Sequence, residues 1–240
     1  MLKLLFGIVS LFLLSSMEVN AEKVYYRNNN GLPFTEYQYQ MMVERFDEDV
    51  VANMKYKPYQ MLGVSNINED NYEQEVYQVT NNSRATYYET TCKKIAISKG
   101  CNTSTCAINF TNNWKCIPAV KSYDVSGIRL SSTSFSNTSY DSYFESDGVD
   151  TDPAGSRGAS NGIGYAFKVP SSGDIGYSVV SATVNKTGAV YGSYQHGVRS
   201  MSLSRALDFT LSSVGLGGVF DFGSYDDYFD QMSGVYITLT

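Results

Sequence analysis

Residues 162–169, Gly-Ile-Gly-Tyr-Ala-Phe-Lys-Val, place a large apolar side chain at every second position. This period of two is the pattern of a β-strand with one buried face. The alternation recurs at Val180, Ala182 and Val184, at Val190, Gly192 and Tyr194, and at Val235, Ile237 and Leu239. Gly- and Ser-rich turns separate the runs at intervals of about ten residues, which is typical of antiparallel sandwiches and barrels. We therefore expect a mainly β fold, with an antiparallel β-sandwich of about seven or eight strands over residues 122–240.

Two segments of this part allow more than one interpretation. The odd-numbered alternation continues through Met201, Leu203, Leu207, Phe209 and Leu211, interrupted at Arg205. It predicts another strand, although residues 202–209 also suit a short helix. The stretch from Val214 to Phe222 is apolar and Gly-rich, which suits either a membrane-inserting hairpin or a Gly-kinked core strand.

Residues 22–121 differ in composition from the later part. They contain all four cysteines and balance 11 acidic against 11 basic residues, whereas residues 122–240 have 12 acidic and 6 basic residues. Thr35 followed by Gln38 three residues later forms a capping box, and apolar residues at helical spacing continue to Met54. These features predict a smaller α+β, cysteine-containing region over 22–121, with a boundary near residues 117–122.

Residues 1–21 have the pattern of a secretory signal peptide. A basic Lys3, an apolar run from Leu4 to Leu14 and a small-residue end at Ala21 are its three parts. A run of about 11 apolar residues is too short to span a membrane core of roughly 30 Å. We expect cleavage after Ala21 and a secreted protein.

The formal net charge of −6 disfavours electrostatic binding of nucleic acid, and the single His disfavours a His-rich metal site.

Four cysteines lie close together in the sequence, at Cys92, Cys101, Cys106 and Cys116. In an oxidising compartment such a set most often forms two disulfides, and three pairings are open. The short Cys-x2-Cys spacing of zinc sites is absent. Asn-x-Ser/Thr sequences, the acceptors of N-glycosylation in secreted glycoproteins, occur at Asn81, Asn102, Asn109, Asn137 and Asn185.

Residues 158–162, Gly-Ala-Ser-Asn-Gly, match the Gly-x-Ser-x-Gly pattern of serine hydrolases. In that interpretation Ser160 attacks the substrate, His196 takes its proton and Asp174 orients His196. A nucleophile elbow needs a strand before the serine and a helix after it, whereas a polar loop precedes Ser160 and a predicted strand follows. An ordinary Gly/Ser turn is the alternative. His196 by itself suits either a structural role or an acid sensor.

Acidic residues crowd the loop that contains Asp147, Asp150 and Asp152. Their carboxylates stand at spacings that suit calcium, but the full EF-hand loop with its closing Glu is absent. A solvated turn is the alternative, and the paired carboxylates of a glycosidase would come from the same loop. Calcium is the one cofactor indicated. A second acidic patch follows at residues 225–230, and exposed tyrosines there and elsewhere suit stacking on sugars.

The plan of the chain resembles that of the small preprotoxins secreted by killer yeasts. The shared features are the signal peptide from Met1 to Ala21, a cysteine-bearing front part with sequons, and an acidic, Gly/Tyr-rich, cysteine-free C-terminal part ending in Gly234-Val235-Tyr236-Ile237. The resemblance covers the whole chain and implies a secreted cytotoxin that binds a competitor cell and permeabilises its membrane at acidic pH. Such precursors are commonly cut at Lys-Arg, whereas this chain has only Lys93-Lys94.

Three functional hypotheses result. The first is a secreted, non-enzymatic protein that acts at a target-cell surface as a killer-type toxin, with Val214 to Phe222 contacting the bilayer. The second is a secreted carbohydrate-binding or adhesion protein that uses exposed tyrosines and calcium at Asp147, Asp150 and Asp152. The third is a serine hydrolase centred on Ser160. The expected partner is a glycan or membrane of the target cell, and nucleic acid is not expected.

Overall fold

Short antiparallel strands account for most of the structure. The computed structural model describes residues 23–78, 92–131, 140–146, 149–171, 175–211 and 219–240. Its strands, in chain order, are β1 (Tyr26–Arg27), β2 (Pro33–Phe34), β3 (Tyr72–Gln78), β4 (Lys93–Cys101), β5 (Thr105–Trp114), β6 (Tyr123–Leu130), β7 (Tyr140–Ser146), β8 (Val149–Thr151), β9 (Gly155–Ala159), β10 (Gly162–Lys168), β11 (Ile175–Asn185), β12 (Ala189–Gln195), β13 (Thr210–Leu211), β14 (Phe220–Asp221) and β15 (Val235–Thr238). The helices are α1 (Glu36–Phe46), α2 (Glu48–Asn53), α3 (Tyr56–Met61) and α4 (Leu203–Ala206), with 3₁₀ turns at Val64–Asn66 and Gly223–Tyr228.

Two antiparallel sheets lie face to face at the centre. One has the strand order β3-β4-β5-β11-β7-β8 and the other the order β15-β12-β6-β10-β9. Alternate residues of both sheets point into the space between them, such as Ile97 and Phe110 from the first sheet and Ile128 and Phe167 from the second. These four side chains are fully buried. The predicted antiparallel β-sandwich is therefore confirmed, and the quoted stretch is its strand β10.

The six-stranded sheet takes strands from both sides of residue 121. β5 pairs along its length with β11, and Phe110 lies opposite Val180 in this register. The cysteine-containing region 22–121 and the region 122–240 thus share one sheet and one core. Alternation within a strand shows which face it buries but not which strand it pairs with.

Helices α1 to α3 cover the outer face of the six-stranded sheet. The Thr35 hydroxyl accepts from the Gln38 backbone N–H while the Gln38 side chain accepts from the Thr35 N–H, so the predicted capping box is present. The apolar pattern is broken at Asp47, which has a φ of 77° and separates α1 from α2. Met42, Phe46 and Met54 are fully buried beneath these helices.

Residues 201–211 and 219–229 cover the outer face of the other sheet. The strand predicted from Met201 onward is wrong through Phe209, since only Thr210–Leu211 is strand; the alternative of a short helix is correct, because Ser202 caps α4 by accepting from the Arg205 N–H. Phe209 and Phe220 pack closely over Gly164, where an added Cβ would lie 2.6 Å from each ring. This close approach explains why glycine stands at the centre of β10.

Of the apolar stretch from Val214 to Phe222, residues 219–222 are described and residues 214–218 lie outside the described residues. Val219, Phe220 and Phe222 are buried in the cluster that covers the five-stranded sheet. This part of the stretch is a core segment, as the second interpretation of its sequence predicted. Among the described residues, no helix has the length and hydropathy needed to cross a membrane.

Both predicted disulfides are present, and their pairing is Cys92 with Cys116 and Cys101 with Cys106. Cys101 and Cys106 lie opposite each other at the end of the β4–β5 hairpin. Cys92 and Cys116 join the two chain ends that leave the same hairpin. The disulfides therefore close both ends of one pair of neighbouring strands.

Candidate functional site

The structure places Ser160 and His196 at opposite ends of the five-stranded sheet. Ser160 is exposed in the turn between β9 and β10, and His196 follows β12 and is fully buried. On β6, Arg129 lies opposite Gly162 whereas Val125 lies opposite Gln195. Arg129 and Val125 are four residues apart on β6, which corresponds to about 13 Å along the strand. Ser160 lies beyond the Arg129 end and His196 beyond the Val125 end, so the two side chains are too far apart to act together. The serine hydrolase interpretation is therefore corrected: Ser160 belongs to a hairpin turn. Asp174 lies outside the described residues.

His196 pairs with a different carboxylate from the one that the sequence suggested. Its Nδ1 lies 2.7 Å from Oδ1 of Asp124, a fully buried residue of β6. Asp124 also accepts from the Gly197 N–H at 3.0 Å and from the Tyr194 hydroxyl at 2.7 Å. Because the carboxylate accepts, the proton of a neutral His196 lies on Nδ1, which leaves Nε2 as an acceptor. That Nε2 atom is buried without a hydrogen-bond partner among the described residues.

A second ion pair lies beside the first. Lys93 of β4 contacts Asp230, and both side chains are completely buried. The other carboxylate oxygen of Asp230 accepts from the backbone N–H of His196 at 3.0 Å. Burial, and then the Asp124 carboxylate, raise the pKa of Tyr194 well above its ordinary value, so this phenol stays protonated and donates. We call Lys93, Asp124, Tyr194, His196 and Asp230 the buried polar cluster.

Of the three proposed calcium residues, Asp150 and Asp152 are among the described residues, and the carboxylate of Asp150 is engaged by other side chains. Asp150 accepts from the Lys55 ammonium at 2.9 Å and from the Tyr143 hydroxyl at 2.7 Å. Asp152 is exposed, and Asp147 lies outside the described residues. Where the structure is described, no three His, Cys, Asp or Glu side chains come together as metal ligands would. The carboxylate of Asp150 is instead part of an ion pair between helix and sheet.

Two carboxylates do meet at Tyr143. Glu145 and Asp150 lie opposite each other on β7 and β8, and the Tyr143 hydroxyl is 3.0 Å from Oε2 of Glu145. Burial raises the pKa of Glu145. Burial alone would raise the pKa of Asp150 as well. The hydrogen bonds from Tyr143 and Lys55 outweigh this effect, so the pKa of Asp150 is lowered. The buried Tyr143 side chain occupies the space between the two groups, where a glycosidase would hold its substrate.

The second acidic patch serves mainly to hold its own segment together. Asp226 accepts from the Phe222 N–H at 3.2 Å, and Asp227 pairs with Arg199 at 2.7 Å. The Arg205 guanidinium lies 4.9 Å and 4.7 Å from the rings of Tyr225 and Tyr228. These contacts fix the covering segment on the sandwich.

The five sequons differ in accessibility. Asn102 and Asn185 are exposed, the first in the β4–β5 turn and the second at the end of β11. Asn109 is 5% exposed on the face of β5 that the helices cover, which leaves no room for a glycan in the folded protein. Asn81 and Asn137 lie outside the described residues.

An open cleft lies where the two sheets meet at one edge of the sandwich. β3 is the edge strand of the six-stranded sheet and β15 is the edge strand of the other. We call the space between them the edge cleft, and its lining includes Glu73, Glu75 and Tyr77 on β3 and residues 234–238 on β15. Tyr77 is 37% exposed and Tyr236 is 58% exposed.

The walls of the edge cleft are held in place by neighbouring residues. Lys99, which is almost fully buried, donates to the Thr238 carbonyl at 2.8 Å and pairs with Glu73 at 3.2 Å. The Tyr236 ring stacks on Tyr191 at 5.7 Å between centroids with an interplanar angle of 29°. The β3 wall of the cleft therefore presents Tyr77 and two carboxylates, while the Tyr236 ring stands at the rim of the β15 wall, on the face opposite the core residues Val235 and Ile237.

Sequence reasoning did not identify the residues of the edge cleft or most of the buried polar cluster. In the sequence Lys93 is notable only as part of the dibasic pair Lys93-Lys94. Its position indicates burial, because Lys93 lies on the same face of β4 as the core residues Ile95 and Ile97. Asp124 likewise shares the inward phase of β6 with Ile128. A charged residue at an inward strand position needs a buried partner, and the sequence does not show which.

Comparison with known proteins gives little further information. No protein-family model matches the chain, and no curated protein matches it significantly. A solved structure described as "pH-induced modulation of Streptococcus parasanguinis adhesion by Fap1 fimbriae" aligns with 52% of this chain and 73% of its own, at 17% identity and a TM-score of 0.29. A TM-score this low supports no conclusion about fold or function.

Proposed function

We propose that the protein is a secreted, non-enzymatic binding protein that recognises a neutral carbohydrate on a cell surface through the edge cleft. The observation that supports this most directly is the pair of exposed tyrosines, Tyr77 and Tyr236, on facing edge strands beside two exposed carboxylates. A tyrosine ring offers a flat apolar face to a sugar ring and a hydroxyl at its edge. The carboxylates of Glu73 and Glu75 are acceptors for sugar hydroxyls.

The charge of the edge cleft narrows the ligand class. Glu73 is partly neutralised by Lys99, but no cation is among the described residues that line the cleft beside Glu75. Like charges repel, so sialylated, sulfated or phosphorylated glycans are disfavoured at this surface. Neutral hexose and N-acetylhexosamine chains can donate hydroxyl hydrogen bonds to the Glu73 and Glu75 carboxylates without this charge repulsion. Calcium is not required in this proposal, because the carboxylate of Asp150 is already engaged by Lys55 and Tyr143.

The rigidity of the site supports recognition rather than catalysis. Tyr236 stacks on Tyr191, and the Arg129 guanidinium lies 4.5 Å from the ring centroid of Tyr191. A ring held in this way loses little freedom when a ligand binds, which lowers the entropic cost of association. The cleft residues are not arranged as a nucleophile with its base, since the one histidine lies buried in the polar cluster.

The experiment is a glycan array followed by titration of the oligosaccharides that bind. We expect neutral glycans to bind, and Tyr236→Ala to weaken the best of them by about tenfold or more, as loss of a central aromatic contact does. Tyr56→Ala is the matched control, because Tyr56 is 61% exposed on α3, away from the cleft. Equal affinity in the Tyr236→Ala and Tyr56→Ala variants would overturn the proposed site.

The killer-toxin hypothesis predicts a different result with the same preparation. Permeabilisation needs an apolar surface that enters the bilayer, whereas Val219, Phe220 and Phe222 are buried in the described part of the candidate segment. Dye-loaded liposomes without glycolipid should therefore retain their dye in the presence of the protein at both acidic and neutral pH. Dye release would replace the binding proposal by the toxin hypothesis.

A further inference from the structure

Lys93 and Asp230 form an unusual pair within the buried polar cluster. Both side chains have no exposed surface and contact each other across the interior, 137 residues apart in sequence. The other ion pairs among the described residues, His196 with Asp124 excepted, each retain an exposed partner. A fully buried ammonium and carboxylate are the two reactants of amide formation, held together by the fold.

The pair is enclosed by aromatic rings and has no exposed surface. The Lys93 Nζ atom lies 5.3 Å from the ring centroid of Trp114 and 5.4 Å from that of Tyr194. Taking an ion pair out of water is costly even when its geometry is good. Proton transfer from the ammonium to the carboxylate gives the neutral amine and the carboxylic acid from which an amide forms. The neutral amine is a nucleophile and the carboxylic acid is an electrophile.

We propose that Lys93 and Asp230 are joined by an intramolecular isopeptide bond. The Lys93 Nζ attacks Cγ of Asp230, a Nζ–Cγ bond forms and one Cγ–O bond breaks. The departing oxygen leaves as water, with one proton from the amine and one from the carboxylic acid. The step is a condensation, so it needs no oxidant, reductant or further reactant.

Neighbouring groups are arranged to assist this condensation. The backbone N–H of His196 donates to Oδ1 of Asp230 at 3.0 Å, where negative charge develops when nitrogen attacks. The His196 ring packs against the same Trp114 as Lys93, with ring centroids 5.0 Å apart. Its unpartnered Nε2 is an acceptor for the proton that the amine releases, and Asp124 holds the ring in this tautomer. His196 passes this proton on to the departing oxygen, and Asp124 is the positioning residue that holds the His196 ring.

The bond would join the two sheets of the sandwich. Lys93 begins β4 of the six-stranded sheet, whereas Asp230 precedes β15 of the five-stranded sheet. Asp230 lies in the segment that leads to the edge cleft, so the bond would anchor one wall of the cleft. It would also lie next to Cys92, where a disulfide already closes the β4–β5 hairpin. The inference is independent of the carbohydrate proposal, because it concerns the chain alone.

Mass spectrometry of the purified mature protein tests the proposal. After reduction of the disulfides, the intact mass should be lower than the sequence mass by one water. Digestion should release a branched peptide that contains Lys93 linked to Asp230. Because an N-terminal glutamate can also lose water, fragmentation of the branched peptide is the deciding measurement. A fully linear peptide map of the wild-type protein would overturn the proposal.

Variants provide the internal controls. Lys93→Arg and Asp230→Ala should each abolish the branched peptide, and Lys115→Arg, at an ion pair with exposed partners, should keep it. His196→Gln should slow or prevent formation of the bond if the histidine assists, and the fraction of linked protein measures this. Should the first two variants fail to fold, the peptide map of the wild-type protein decides the question alone.

Discussion

Gly192 shows how tightly single residues are fitted between the sheets. It lies on β12, and a Cβ added there would stand 2.2 Å from Cδ2 of Phe110, which is fully buried. The alternation of the sequence indicated an inward position but not that this position has no room for a side chain. The missing side chain of Gly192 leaves the space that the ring of Phe110 occupies.

We therefore predict that Gly192→Ala destabilises the protein by about 1–3 kcal/mol or more, the usual range for overpacking a core. Chemical denaturation followed by fluorescence measures the change. Gly158→Ala is the control, since the nearest atom to its added Cβ is 3.8 Å away in ordinary contact. Equal stability losses in the two variants would show that the Phe110 contact is not responsible.

The pKa of Glu145 gives a second prediction for a single residue. Burial raises this pKa, so the folded state disfavours the ionised form more than the unfolded state does. The stability linked to Glu145 is therefore complete at acidic pH, below the ordinary glutamate pKa. It is lost as the pH rises through the raised value.

Glu145→Gln should remove this loss while keeping an oxygen that accepts from Tyr143. The variant should be more stable than the wild type at about pH 7, and the difference should shrink towards about pH 4. The lowered pKa of Asp150 has the opposite effect on stability, which decreases as the pH falls. Asp150 is present in both proteins, so its contribution cancels in the difference between them. Thermal unfolding at several pH values measures the difference. A difference that grows on acidification would contradict the assignment.

At the scale of elements, the beginning of α1 is determined locally. Thr35 and Gln38 satisfy each other's backbone N–H groups, and this reciprocal bond could be predicted from four residues of sequence. The end of α1 depends on tertiary contacts. Asp47 adopts a positive φ and its carboxylate pairs with Lys94 of β4, so a contact with the sheet accompanies the break in the helix.

We predict that Thr35→Ala lowers the free energy of unfolding by about 1 kcal/mol, whereas Thr35→Ser leaves it nearly unchanged. The serine keeps the hydroxyl that accepts from the Gln38 N–H. Urea denaturation of the three proteins measures both values. A loss in Thr35→Ser as large as in Thr35→Ala would assign the effect to packing of the threonine methyl group instead.

At the scale of the whole molecule, the class of fold could be predicted because large apolar side chains recur at every second position in several of the strands. Strand β10 and the C-terminal strand β15 follow directly from that pattern. The pairing of β5 with β11 could not, since their partnership joins residues more than 60 apart and leaves no local signal. The edge cleft could not be predicted from the sequence for the same reason. Tyr77 and Tyr236 share the lining of a cleft only because two edge strands meet in space.

The central claim is that the edge cleft binds a neutral carbohydrate. Its most direct test is a nuclear magnetic resonance titration of the isotope-labelled protein with chitotriose and with laminaritriose, which represent neutral N-acetylhexosamine and hexose chains. We predict saturable shifts of backbone amide signals at residues 73–77 and 234–238, abolished by Tyr236→Ala. Shifts confined to another surface, or no shifts with either sugar, would contradict the account.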